Sequence, residues 1–209
     1  MPNKAAKKLI EFNCRNGVYS VDSQTVNPLG YLVSNTLDKS IATKEIYGDG
    51  ELQLSLLTDK GMAGTLEMTS RDDDFEMDLG FIKEIAQGIA DVQVLENKTV
   101  AIGYETYILT KDGITKTKKV WLLGVNVAPA SDSVSQNTDT INEATASYGL
   151  TVKGVNLKNA DGSADYVDSN GNTLKVFKIS SVPGQDGYDT FLQSVPIPKV
   201  KTEAASQTT

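Results

Sequence analysis

The chain has 209 residues, a formal charge of −7, one Cys and no His. The acidic balance argues against general affinity for DNA or an anionic membrane, and the missing imidazole removes His-based triads, proton shuttles and most zinc sites. A domain of this length buries roughly 70% of its unfolded surface without a disulfide, so Cys14 reads as a reduced structural thiol.

Residues 1–9 read as a mobile arm. Their apolar run is too short for a signal peptide, and no stretch approaches the roughly 20 apolar residues of a membrane-spanning helix. Synthesis in the cytosol, with no membrane partner, is the expectation. Short strands are expected at 10–14 and 18–21, with Asn16-Gly17 as the hairpin turn between them. Asn27-Pro28 marks a loop. Two more strands, 41–47 and 51–57, flank Gly48-Asp49-Gly50. In the second, Leu52, Leu54 and Leu56 share one face, and Glu51, Gln53 and Ser55 the other. Asp59-Lys60-Gly61 reads as a turn, followed by a strand at 63–69.

One helix is expected over about residues 72–87. Phe75, Leu79, Ile82, Ala86 and Ile89 recur at steps of three and four. Ser70 or Asp72 can cap its start, and Asp72, Asp73 and Asp74 complement its dipole. Gly88 reads as the stop, and Gly80 as a flaw inside the helix. Next comes the clearest hairpin, 101–110 against 115–127. A two-residue Asp112-Gly113 turn would set Tyr104 opposite Trp121 and Ile102 opposite Leu123. Lys111, Lys116, Lys118 and Lys119 lie near that turn. They are either a solvated tip that discourages unwanted pairing or a docking tip for an acidic surface, which could be another copy.

Residues 129–146 are almost wholly polar, too long for an ordinary connection. A strand follows at 147–155, then a Gly/Asp/Asn loop at 156–172 with Asn170-Gly171 as a turn into 173–179. Pro196 and Pro198 confine 188–200 to an edge or an extended arm. Residues 201–209 read as a flexible tail. The sum is a mainly β protein, a β-sandwich or barrel with one flanking α-helix, in a single domain over 10–200.

No motif carries chemistry. Glycine-rich phosphate loops are absent. Asp168-Ser-Asn170-Gly-Asn172 lacks the Gly and Glu that a calcium loop needs, and reads as a turn. The acids at 72–74 point in different directions on a helix whose dipole already accounts for them. Trp121 reads as core rather than as a sugar platform. With Phe75, Leu79, Ile82 and Tyr104 it makes up the expected core anchors. No catalytic, metal or cofactor site is expected, and the chain is not read as an enzyme.

Four stretches together resemble the major tail tube proteins of long-tailed, non-contractile bacteriophages and prophages of Gram-positive hosts. They are LLTDKGMAGTLEMTSRDDDFEMDLGF (56–81), KTKKVWLLGV (116–125), SQNTDTINEATASYGLTVKGV (135–155) and YDTFLQSVPIPK (188–199). The resemblance implies a structural virion protein that forms hexameric rings, stacked into the hollow tube through which DNA reaches the host. It implies itself as the main partner, together with tape measure, distal tail and tail terminator proteins. It also implies an acidic lumen that DNA passes without binding. Glu45, Asp49, Glu51 and Glu105 are the lumen candidates; an ordinary solvated outer face is the competing reading. The rival function is a non-polymeric β-sandwich binding module, for example the carbohydrate-binding part of a phage adhesin, which an exposed aromatic row would mark.

Overall fold

The computed structural model describes residues 8–23, 25–49, 51–131 and 145–201. Residues 1–7 of the expected arm, 132–144 of the expected polar loop and 202–209 of the expected tail lie outside the described residues. In chain order the elements are β1 (Lys8–Val21), β2 (Asn27–Pro28), β3 (Leu32–Gly48), β4 (Glu51–Met68), α1 (Asp73–Leu79), β5 (Ile82–Ile85), β6 (Gly88–Asp91), β7 (Thr99–Thr110), β8 (Thr115–Val127), β9 (Ala146–Val152), β10 (Val155–Asn156), β11 (Lys175–Val176) and β12 (Lys178–Ser181). The mainly β class with one helix therefore holds.

One antiparallel sheet dominates, in the order β2-β1-β7-β8-β9-β4-β3, with β12 laid against β8. It curls on itself. Leu29 N–H donates to the Gly17 carbonyl at 2.9 Å, and the Leu32 side chain occupies the space a Cβ on Gly17 would need. The start of β3 thus returns to β1. Inside the curl, Phe75 of α1 stacks edge-on against Tyr19 (4.8 Å) and Tyr148 (5.7 Å). On the other face of β7–β8, Ala101, Trp121 and Leu123 are covered by Ile179, Phe191, Leu192 and Val195. Because both faces of β7–β8 are buried, this hairpin reads as a continuous apolar run.

Several expectations are corrected. The helix ends at Leu79, not near residue 87. Gly80, at φ 81°, is its left-handed cap. Gly80 N–H bonds the Met77 carbonyl and Phe81 N–H the Glu76 carbonyl, the paired closure that lets a helix stop on glycine. Past this cap the apolar residues belong to a small hairpin. Ile82 is buried there, but Ala86 and Ile89 are exposed. Asn16-Gly17 does not reverse the chain. β1 runs through it with irregularities where Asn13 (φ 62°) and Asn16 (φ 49°) insert left-handed residues. Asp59-Lys60-Gly61 likewise lies within β4, where Gly61 (φ 96°) sits at a register shift against β3.

The β7–β8 register also differs by one. Thr110 N–H bonds the Ile114 carbonyl and Gly113 N–H the Thr110 carbonyl, so the loop holds three residues, with Gly113 left-handed (φ 72°). Gly103 therefore faces Trp121, and Tyr104 faces Val120. That single step sends Tyr104 and Trp121 to opposite faces, and each joins a different core. All five expected anchors are buried.

Asp72 ties two segments together. Its carboxylate accepts from Phe75 N–H at 3.1 Å, capping α1, and from Gly30 N–H at 2.7 Å. Asp72→Ala is expected to lose about 1–2 kcal/mol, a cap plus one bond. A urea midpoint equal to that of the wild type would show that neither bond contributes.

Candidate assembly surfaces

The β3–β4 hairpin outruns the sheet. β9 pairs with β4 only from Met62 to Met68, whereas β3 and β4 pair all the way to Gly48↔Glu51. Beyond Ile41↔Asp59 the two strands form a ribbon with no third strand among the described residues. Residues 43–47 and 51–60 are all exposed. Eight or so residue pairs make the ribbon roughly 25 Å long. Asp49, at φ 52°, opens the short connection at its tip.

Both faces of the ribbon carry exposed apolar side chains. Register puts Leu56 with Lys44 and Leu54 with Ile46 on one side; past the irregularity between Ile46 and Tyr47, Leu52 pairs with Tyr47 on the other side. Leu52, Leu54, Leu56 and Ile46 are 51, 49, 45 and 40% exposed. Leu54, Leu56 and Ile46 stand on one face and Leu52, with Tyr47 and Leu57 at 63 and 74% exposed, on the other; together they turn roughly a few hundred Å² of apolar surface to water, the size at which a patch marks an interaction site. Glu45, across from Ser55, stands on the face of Leu52, whereas Glu51 pairs with Gly48 on the face of Leu54. Tyr47 shares the face of Glu45, to which its hydroxyl donates at 2.6 Å. A two-stranded ribbon of this kind has little stability alone in water.

Glu45, Asp49 and Glu51 thus gather at one exposed tip. Glu105 stands apart, on β7 within the body. Asn16 Nδ2 donates to it at 2.6 Å and Arg15 lies 3.5 Å away, leaving its side chain 13% exposed. The four lysines divide as well. Lys111 and Lys116 are exposed beside the β7–β8 turn. Lys118 pairs with Glu11 at 3.1 Å. Lys119 donates to the carbonyls of Tyr188 and Asp189 and sits 4.5 Å from the centre of the Tyr188 ring. These two act as internal ties holding β8 to β1 and to the 188–195 segment.

Other features offer little chemistry. Phe12 and Tyr107 lie 5.7 Å apart on the outer face, but the Arg15 guanidinium stands 4.4 Å over the Tyr107 ring. That ring face is occupied, which counts against a sugar platform. An open cavity of about 740 Å³ lies between the ends of β7 and β8 and the 195–198 segment, with Lys158 and Asp165 paired at 2.7 Å among its lining residues. Burial alone lifts the Cys14 thiol to about 11, so it is protonated at neutral pH and a poor nucleophile. Asp168 closes its own loop, accepting from Asn170 N–H (2.9 Å) and Asn172 N–H (2.8 Å). The turn reading of that stretch is correct. Among the described residues no His, Cys, Asp and Glu group is arranged to hold a metal ion, and no helix is long and apolar enough to cross a membrane.

The chain matches no protein-family model and no curated protein. Among solved structures it is similar to a chain of the anti-feeding prophage baseplate, determined by cryo-EM with six-fold symmetrisation. The identity is 7%, the match covers 73% of this chain and 93% of that one, and the TM-score is 0.39. A likeness this loose assigns neither fold nor function.

Sequence reading missed the most conspicuous surface. The Leu52, Leu54, Leu56 alternation is the pattern of a strand packed on a core, and no local signal says that the core stops at Gly61.

Proposed function

We propose that this chain is a self-assembling structural subunit of a phage or phage-derived tail tube. Its copies form hexameric rings stacked around a lumen through which DNA passes. The subunit is made in the host cytoplasm and incorporated into the virion. Tape measure, distal tail and tail terminator proteins are its further partners. The sequence resemblance supplies the class, and the ribbon is the observation that carries the physics. It projects exposed leucines and two open strand edges into water, and both are satisfied when a neighbouring copy covers them. Glu45, on the face away from Leu54 and Leu56, stays in water when a copy covers those two leucines. Acids on a lumen wall repel phosphate and let DNA slide.

The test is Leu54→Asp. Leu54 is half exposed, so the monomer should keep its fold and its thermal midpoint. Assembly should fail, because the substitution puts a charge into the covered face. Wild-type rings or tubes in negative stain, with a folded, monomeric Leu54→Asp variant, is the expected result. A wild-type chain that stays monomeric across the concentration range overturns the reading and favours the binding module, to be pursued with a glycan screen.

A further inference from the structure

Resting on the self-assembly reading, we infer that the Leu54–Leu56 face of the ribbon docks on the 85–95 strip of a second copy, in a head-to-tail contact between unlike surfaces. The strip begins in the β5–β6 hairpin and runs on past it. Ile85, Ile89, Val92, Val94 and Leu95 are 45, 51, 37, 40 and 88% exposed. Among the described residues Leu95 is thus almost bare.

Topology places the two surfaces at opposite ends of the sheet. β4 starts at the ribbon turn and ends at Met68, where it pairs with Ala146. The chain then makes α1 and the strip, and re-enters the sheet at Thr99. Thr99 pairs with Asn126 near the end of β8, and Ser131 just beyond pairs with Ser147. The strip is therefore at the end where β4 finishes, and the ribbon at the end where it starts. Two unlike, mutually attractive patches at opposite ends of one subunit make a heterologous contact that repeats by translation.

Size and charge support a second copy as the occupant. The exposed apolar parts of Leu54, Leu56 and Ile46 on the ribbon and of the strip come to roughly a few hundred Å² on each side, a substantial part of the roughly 800 Å² per partner that a stable interface buries. The face of Leu54 and Leu56 carries Lys44 opposite Leu56, with Glu51 farther out near the tip. The strip offers Glu84, paired with Ile89 across its hairpin, and Glu96 beside Leu95. Lys44 thus meets carboxylates when the leucines are covered.

The experiment uses the full chain with Leu54→Asp and Leu95→Asp, each checked for a wild-type circular dichroism spectrum, then sedimented alone and as an equimolar mixture. Each variant alone should be monomeric. The mixture should give a 1:1 dimer that does not grow, because one partner contributes the intact strip and the other the intact ribbon. Separately, Lys44→Glu should weaken assembly about tenfold, and adding Glu84→Lys should restore it. Wild-type assembly that persists in Leu95→Asp, or a mixture that stays monomeric, overturns this contact while leaving self-assembly intact. A wild type that never assembles overturns both.

Discussion

Glu76→Leu should destabilise the protein by about 3–5 kcal/mol, the usual cost of removing one partner of a buried ion pair. Glu76 is fully buried on α1. Arg71 Nε lies 3.0 Å from each of its oxygens, and Tyr148 donates its hydroxyl at 2.8 Å. Burial, then the hydrogen bond to Glu76, raise the Tyr148 phenol well above its ordinary range, so it remains a donor at neutral pH. Without the carboxylate, Tyr148 loses its acceptor in the core, and the Arg71 guanidinium loses its buried counter-charge while keeping its outward bond to Asp91 at 2.8 Å. The urea midpoint should fall with little change in slope. Glu76→Leu combined with Arg71→Leu should recover part of the loss, because an apolar pair of similar volume costs far less than a half-broken ion pair. A single variant as stable as the wild type would show that the pair barely offsets its own desolvation.

Trp121→Ala should cost a similar 3–5 kcal/mol, and its effect should be local first. Trp121 is wholly buried, and its indole N–H donates to the Phe191 carbonyl at 2.7 Å. Gly103 lies opposite, where a Cβ would press on both Trp121 and Leu192. The ring is therefore the surface on which 188–195 is seated. Its removal should speed hydrogen exchange across 188–195 before the rest of the sheet opens. Trp121→Phe keeps most of the packing and should lose only about 1–2 kcal/mol for the unmade bond. The chain has one Trp, so unfolding of these variants is followed by circular dichroism. Equal exchange protection in all three proteins would show that the segment is held by something else.

Local pattern made the strands, the turn at Asp49, the cap at Asp72 and the five core anchors legible in the sequence. Their limits came from residues with two physical roles. Gly80 is equally a weak helix interior and a left-handed cap, and only the bond from Phe81 to Glu76 decides between them. Asn16-Gly17 can reverse a chain or bulge a strand, and the choice lies with β7, some 90 positions away. Of the assembly surfaces, the acids at 45, 49 and 51 could be grouped from sequence. The engagement of Glu105 with Arg15 and Asn16 could not, because it depends on the bulged register of β1. Nor does anything local mark Leu95 as bare.

Pairing distance along the chain has a consequence for synthesis. β3 and β4 are neighbours in sequence, and a hairpin closes in about 1–10 μs. β1 must wait for β7: the bond from Thr106 to Glu11 spans 95 positions. At translation rates of about 5–20 residues per second, some 90 residues separate a finished ribbon from β9, the strand that joins β4 to the rest of the sheet, roughly 5–18 s. During that interval the leucines are presented by a chain whose own sheet is still open, and nascent chains on one message lie close together. Lys44, Glu45, Asp49 and Glu51, set around those leucines, then act as gatekeepers that slow indiscriminate strand pairing until each body has closed.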